Sequence, residues 1–361
     1  MTELWSDMAR RTKPYKAGEQ INTIDTIKLN TNENPYPPSP RVVEALQKAL
    51  TADLRKYPES DPEKLRNALG EYHKVSAAEV FVGNGSDEVL ALSFMAFFTP
   101  GKSILFPSVT YSFYPTYAAL FDIQYDEVPM GKDFTMNEEA FYQSAGGVIF
   151  PNPNAPTGIA LPLQSVERII QENPGRPVII DEAYIDFGGE TAISLLSRYD
   201  NVLITRTMSK SRSLAGLRIG YAIGSELMIE ALTRVKNSFN SYTIDRLALT
   251  AAEASIEDEL YFTETIQRII DTRERFKKVF ESIGFTVLPS SANFLFVHHP
   301  KVPAVQLYEL LKEHHILVRH FSQPETERWL RVTIGTDAEM EQLAQQLFKT
   351  VDAWTDKNTA Y

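Results

Sequence analysis

The feature that most constrains this chain is a series of short, β-rich apolar runs at 80–82, 103–106, 123–128, 148–150, 178–180, 202–205 and 219–223. Most of the gaps between them are long enough to hold a helix. Strands spaced this way need crossover connections, so the pattern predicts an α/β fold with a mainly parallel seven-stranded sheet and helices on both faces. Beyond residue 225 the pattern changes. Helical periodicity over 225–236, 245–282 and 305–314 alternates with short β-rich stretches at 285–287, 294–297, 316–319 and 330–334. This predicts a smaller α+β domain. The expected division is an N-terminal arm over 1–35 packed with the small domain, a large ligand-binding domain over 36–250, and a small C-terminal domain over 251–361.

Composition removes several classes of function. The chain has 361 residues, 43% of them hydrophobic, which is enough for a sizeable core. A net charge of −11 disfavours a nucleic-acid or anionic-membrane partner. The absence of cysteine excludes disulfides and thiolate metal sites and suits a reducing compartment. Residues 1–14 show no apolar signal core, and the longest apolar stretch, around 89–98, is too short to span a bilayer. His298-His299 and His314-His315 are adjacent pairs whose side chains diverge, so no metal is expected. The expectation is a cytoplasmic protein.

In parallel sheets ligands sit outside the carboxyl ends of the strands. After the first run comes Gly83-Asn84-Gly85-Ser86-Asp87-Glu88. There Gly85 permits a turn, and the backbone of Gly85, Ser86 and Asp87 can cradle an anion at a helix N-terminus. Tyr111 follows the second run and can stack on a flat ring. Asn154 lies in an Asn/Pro loop after the fourth, and Asp181 and Tyr184 follow the fifth. The sixth leads into Thr207, Ser209 and Lys210, with Arg218 eight residues on. Taken singly, each has a plain structural explanation: a βα turn, a packed aromatic, a helix cap, a basic loop. Gathered at one rim, they make a site for pyridoxal 5'-phosphate. Lys210 supplies the amine for the aldehyde, and Asp181 the acid for the ring nitrogen. Ser209, Thr207, Arg218 and the glycine-loop amides hold the phosphate. Lys210 is also placed to carry a proton from the substrate Cα.

Three motifs carry a family resemblance over nearly the whole chain: Asn152-Pro153-Asn154-Ala155-Pro156-Thr157-Gly158, Asp181-Glu182-Ala183-Tyr184, and Ser209-Lys210 with Ala215-Gly216-Leu217-Arg218-Ile219-Gly220. The sequence resembles the fold-type I, class II pyridoxal-phosphate aminotransferases. Through Leu29-Asn30-Thr31-Asn32-Glu33-Asn34-Pro35, Lys56-Tyr57-Pro58 and Leu330-Arg331-Val332-Thr333-Ile334-Gly335 it is similar to the histidinol-phosphate aminotransferases among them. That resemblance implies a homodimer in which Tyr57 reaches the cofactor phosphate of the neighbouring subunit. It implies that Arg331 grips a substrate carboxylate, that Arg319 lies near a distal phosphate, and that Tyr15, Asn32 and Asn293 face the substrate. Relatives place Asn directly before Pro-Thr-Gly to bond the cofactor's ring oxygen. Here that residue is Ala155, and the role is carried back to Asn154, with Asn152 further upstream.

The implied reaction is transfer of an amino group between histidinol phosphate and 2-oxoglutarate, giving imidazole-acetol phosphate and glutamate in histidine biosynthesis. The rivals are an aromatic or broad-specificity aminotransferase on the same scaffold, a cofactor-binding regulator without turnover, and a decarboxylase of a phosphorylated amino acid.

Overall fold

The computed structural model describes residues 4–14, 19 and 25–359. Tyr15 lies outside them. After a short strand β1 (Ile27–Lys28), seven strands build the central sheet: β2 (Val80–Asn84), β3 (Ile104–Pro107), β4 (Tyr125–Val128), β5 (Val148–Pro151), β6 (Val178–Asp181), β7 (Val202–Thr207) and β8 (Ile219–Gly224). Their order across the sheet is β2-β8-β7-β6-β5-β3-β4. Only β8 runs against its neighbours; the pairs β3–β4, β3–β5, β5–β6 and β6–β7 are parallel. The seven expected runs are the seven strands, with ends displaced by a residue or two. The connections β2–β3, β3–β4 and β5–β6 hold α-helices, those of β4–β5 and β6–β7 only one-turn 3-10 segments, and β7–β8 joins antiparallel neighbours.

The central strands are apolar at consecutive positions because both faces are covered. Ile149, Ile179, Leu203 and Ala222 pack on one side against the helices Gly85–Phe97, Phe113–Phe121 and Glu226–Phe239. Val148, Phe150, Val178, Ile180, Val202 and Ile204 pack on the other. This alternation decides which polar residues share a face at the sheet rim. Asp181, Thr205 and Thr207 fall on the first side, Glu182 and Arg206 on the second.

The C-terminal region forms a four-stranded antiparallel sheet from β9 (Thr286–Val287), β10 (Phe294–His298), β12 (Arg319–His320) and β13 (Leu330–Thr333), in the order β12-β13-β10-β9. The remaining strand, β11 (Ile316–Leu317), leaves that sheet and pairs in parallel with β1. The helices Glu259–Ser282, Ala304–Glu313 and Asp337–Thr359 close the second core around Phe280, Phe294, Leu307 and Leu343.

Two expectations are corrected here. The stretch 316–319 was expected as one strand, but it divides at Val318, which puts Arg319 on a different sheet from Ile316. The helix expected over 245–282 is broken: Arg246–Glu257 ends and Glu259–Ser282 begins at Asp258, whose φ of −103° and ψ of 63° are not helical. No glycine or proline marks that break. It is made by tertiary partners, with the Asp258 carboxylate 4.0 Å from Arg41 and Glu259 3.6 Å from Arg212.

Candidate active site

The site grows from the carboxyl ends of β2, β6 and β7. At β2 the chain passes from Asn84 into the helix Gly85–Phe97 with no side chain capping the first turn. The first-turn amides of Ser86 and Asp87 therefore stay available to an anion. Gly85 takes φ +80°, and a Cβ there would lie 2.5 Å from Arg218 Nη2. The guanidinium of Arg218 sits over the turn because nothing intervenes, and it donates to Asp87 Oδ2 at 2.8 Å. Asp87 Oδ1 accepts the Tyr111 hydroxyl at 2.7 Å, so one carboxylate ties the aromatic plate to the arginine.

Gly220 on β8 faces this turn from behind. A Cβ on it would collide with the Ser86 nitrogen and the Gly85 carbonyl carbon, both backbone atoms that cannot swing aside. We expect Gly220→Ala to lower stability by about 3 kcal/mol, the upper end for overpacking, and to weaken cofactor retention on dialysis at least tenfold. A variant that melts and retains cofactor like the parent would show that the cradle does not depend on this approach.

At β7 and β8, residues 208–218 loop out between the antiparallel partners Thr207 and Gly220. Thr207 Oγ1 accepts from the Ser209 amide at 3.1 Å, shaping the turn that presents Lys210. Lys210 Nζ donates to the Thr31 carbonyl at 2.9 Å, and Asn34 Nδ2 donates to the carbonyls of Lys210 and Ser211, both at 3.1 Å. Burial, and then the neighbouring Arg331 charge, push the Lys210 amine down to about 8; Glu33 and Asp87 oppose that shift.

At β6, Asp181 is 4% exposed. It accepts the Tyr114 hydroxyl at 3.2 Å and the Ala183 amide at 3.2 Å. Burial raises its pKa from 3.8 to about 6. Among the described residues it has no cationic partner in an ion pair, although it lines the same cleft as Lys210. Tyr184 packs edge-on to Phe294 and accepts Asn32 Nδ2 at 2.8 Å.

The small sheet closes the other side. Arg319 on β12 and Arg331 on β13 are direct cross-strand partners, and both line the cleft. Arg331 Nη2 donates to the Asn30 carbonyl at 3.0 Å and lies 5.3 Å from the ring of Phe294. Arg319 lies 5.7 Å from the ring of Phe321. Two like charges opposite each other on neighbouring strands are unfavourable without an anion between or beside them. The cleft is about 390 Å³.

Of the residues singled out from sequence, Ser86, Asp87, Tyr111, Asp181, Tyr184, Thr207, Ser209, Lys210, Arg218, Asn32, Arg319 and Arg331 all line this one cleft. Gly85 lies immediately behind it. Asn154 is not brought to the wall. Its Nδ2 donates to the Val109 carbonyl at 3.1 Å and to Thr157 Oγ1 at 3.0 Å, and the loop presents Ala155 and Pro156 to the cleft instead. Asn152 is likewise turned inward, exchanging hydrogen bonds with Leu161. Asn293 is buried behind Asn32, donating to its carbonyl at 3.0 Å, and does not line the cleft. Tyr57 is 79% exposed and stacks on Tyr242 with ring centroids 4.8 Å apart, and it does not line the cleft.

Sequence reasoning missed Tyr114, which holds Asp181. It also missed Thr31 and Asn30, whose backbone carbonyls hold Lys210 and Arg331. Backbone acceptors leave no residue-type signal; Tyr114 differs from its aromatic neighbours only in where the helix Phe113–Phe121 points it.

The donor set suits pyridoxal phosphate on two observations. A buried carboxylate without a cation awaits a protonated ring nitrogen, and Thr110 Oγ1 at the cleft wall is buried with no hydrogen-bond partner among the described residues.

Comparison with known proteins agrees with the geometry. Residues 24–347 match the family model described as aminotransferase class I and II. The chain is 52% identical over 347 residues to histidinol-phosphate aminotransferase 1 of Oceanobacillus iheyensis, covering 96% of this chain and 98% of that protein. It is 51% identical over 351 residues to histidinol-phosphate aminotransferase 2 of Dechloromonas aromatica, covering 96% and 99%. Among solved structures, the histidinol-phosphate aminotransferase of Sinorhizobium meliloti in complex with pyridoxal-5'-phosphate superposes with a TM-score of 0.83 at 26% identity, covering 91% of each chain. With this cleft and these relatives, the chain belongs to the class I and II aminotransferases.

Proposed function

We propose that this chain is a pyridoxal-phosphate-dependent transaminase that interconverts histidinol phosphate plus 2-oxoglutarate and imidazole-acetol phosphate plus glutamate, in histidine biosynthesis. The observation that carries the reading is the Arg319–Arg331 cross-strand pair in the same cleft as Lys210 and Asp181. One arginine suits an amino-acid carboxylate; a second beside it suits a substrate with a further anionic group.

Lys210 would hold the cofactor's aldehyde carbon and Asp181 its ring nitrogen, with Tyr184 at the ring hydroxyl and Tyr111 against the ring face. Thr207, Ser209, Arg218 and the amides of Ser86 and Asp87 would hold its phosphate. When bound, the cofactor supplies an electron sink that stabilises negative charge at the substrate Cα. The chain supplies the rest. Lys210 Nζ, lowered to about 8, accepts the proton leaving Cα at near-neutral pH. Asp181, in its charged form, keeps a proton on the facing nitrogen. Arg331, braced by the Asn30 carbonyl, clamps the carboxylate of glutamate or 2-oxoglutarate. Arg319 takes the phosphate of histidinol phosphate, and Asn32, held by Thr333 and Tyr184, borders the substrate.

The homodimer belongs to the same reading, since an exposed Tyr57 stacked on Tyr242 is preassembled to reach a neighbouring subunit. In the division into arm 1–35, large domain 36–250 and small domain 251–361, the pairing of β1 with β11 supports the packing of the arm with the small domain, while the boundary at 250 moves to the end of the helix Arg246–Glu257, which packs as one piece against β2 and β8. A cytoplasmic location is supported by the lack of cysteine. No helix among the described residues is long and apolar enough to cross a membrane.

Steady-state rates with histidinol phosphate, phenylalanine and tyrosine test the assignment. We expect histidinol phosphate to lead in kcat/KM, and a preference for the aromatic amino acids would replace it with the broad-specificity reading. Arg319→Ala should cut kcat/KM for histidinol phosphate by about 10- to 100-fold, the worth of a charge-assisted hydrogen bond, and leave phenylalanine nearly unchanged. An equal loss on both substrates would remove Arg319 from phosphate recognition.

A further inference from the structure

Two residues beside the motif chemistry have no part in it: Glu182, next to Asp181, and Ser211, next to Lys210. Both belong to one polar network on the far face of the sheet. Arg206, 6% exposed, lies on β7 between Thr205 and Thr207 and points away from the cleft. Its Nε and Nη2 donate to Glu182 Oε2 at 3.1 and 2.8 Å, its Nη2 also to Thr191 Oγ1 at 3.0 Å, and its Nη1 to Asp186 Oδ1 at 3.3 Å. Glu182 is completed by the Ala192 amide at 2.7 Å and the Thr191 hydroxyl at 2.8 Å. The remaining Asp186 oxygen, Oδ2, accepts the Ser211 hydroxyl at 2.6 Å.

We infer that Asp186 is a positioning residue for Lys210, acting through Ser211, with Arg206 and Glu182 as the anchor that fixes Asp186. The inference rests on the proposed role of Lys210 and extends it to residues beneath the sheet. Lysine has four rotatable side-chain bonds, and its loop is held on the cleft side by Asn34, through carbonyls, and by Thr207 at the Ser209 amide, while Arg212 after it ties to the Ser255 carbonyl. Among the loop's holds, the bond from Ser211 Oγ to Asp186 Oδ2 is the one that ties the residue next to Lys210 to the far face of the sheet. Arg206 makes four hydrogen bonds to three acceptor residues inside a packed face, so Asp186 is tied to the sheet itself rather than to a mobile side chain. The same β7 segment carries Arg206 beneath and Thr207 above, and the β6 end carries Glu182 beneath and Asp181 above. The network thus sets the two ends of the cofactor site from one rigid piece. A misplacement of about 1 Å is enough to cost about 100-fold in rate.

The test is Ser211→Ala, with Ser211→Thr as the conservative partner and Asp186→Asn as the second variant. The first readout is competitive acetylation of Lys210 in the cofactor-free protein as a function of pH, followed by peptide mass; it needs neither substrate nor turnover. We expect the parent's midpoint near 8 to rise toward that of an exposed lysine in Ser211→Ala and Asp186→Asn, and to return in Ser211→Thr. The second readout is a fall in kcat of about 10- to 100-fold for both losses, with KM for glutamate within twofold of the parent and the melting temperature of Ser211→Ala unchanged.

An unaltered Lys210 profile in Ser211→Ala overturns the inference whatever the rate does, since a rate loss alone would then come from elsewhere. Restored chemistry in Ser211→Thr with no restored profile overturns it equally. Should the parent fail to transaminate histidinol phosphate, the substrate assignment falls while the acetylation comparison still decides this point. If Asp186→Asn does not fold, Ser211→Ala and Ser211→Thr decide it alone.

Discussion

Lys210→Ala is expected to lower the glutamate half-reaction by at least about 10⁴-fold, the upper range for removal of a positioned proton-transfer group, because the same amine also holds the cofactor's aldehyde. The measurement is single-turnover kinetics on protein loaded with cofactor. Stability should not fall in parallel. In the folded chain the Lys210 amine sits at about 8 rather than 10.5, so its charged form is disfavoured there by burial and by Arg331. That penalty is complete below pH 8 and fades as pH rises through 8 to 10.5, where both folded and unfolded chains lose the charge. At pH 7 alanine removes the penalty, and the cofactor-free variant should melt no lower than the parent. Turnover within tenfold of the parent would remove Lys210 from the centre of the site.

Asp181→Asn separates charge from shape. Asparagine can still accept the Ala183 amide, and the Tyr114 hydroxyl can turn to accept from the new NH₂. What disappears is the negative charge facing the ring nitrogen. We expect kcat to drop by about 10²- to 10³-fold, the magnitude for loss of one preorganised electrostatic partner.

The stability of the cofactor-free protein should move the other way. Burial raises the folded-state pKa of Asp181 from 3.8 to about 6. Its protonated form therefore favours the fold below pH 3.8, and that advantage is lost as pH rises through about 6. Above pH 6 the parent carries the full burden of a buried carboxylate, on the order of 3 kcal/mol. Asp181→Asn removes this burden. Urea unfolding of both proteins should show similar stability at pH 4 and a more stable variant at pH 7. Equal stability at pH 7 would mean that Asp181 is better solvated than its burial implies, and undiminished turnover would remove it from the chemistry. An active site that is less stable than its own disabled variant is expected where a charge is held ready for a ligand.

Much of the architecture is legible in the residues. Strands buried on both faces must be apolar at successive positions, as in Val178-Ile179-Ile180 and Val202-Leu203-Ile204, and only a parallel sheet covered by helices asks for several of these in series. Such a sheet puts ligands at its carboxyl rim, so Lys210, Asp181, Ser86 and Asp87 could be picked out as the residues that follow strands. Helical periodicity over 225–236 and 305–314 located the helices Glu226–Phe239 and Ala304–Glu313.

Other features could not be read this way because they depend on which partners meet across long separations. The break at Asp258 has no local signal and is tied by Arg41 and Arg212. Asn154 has the right residue type for a ring-oxygen donor, but the carbonyl of Val109, far away in sequence, claims its amide. The division at Val318 carries Arg319 from the sheet edge of Ile316 to a place opposite Arg331.

Residue order alone determined the doubly covered sheet, its rim and the types of group gathered there, since burial on two faces and short connections leave a chain few alternatives. Tertiary structure alone decided the pKa values of Lys210 and Asp181, the backbone carbonyls that brace Lys210 and Arg331, and the Arg206 anchor beneath them. Those depend on desolvation and on hydrogen bonds between segments as much as 301 residues apart, and electrostatic energy follows distance in space rather than position along the chain.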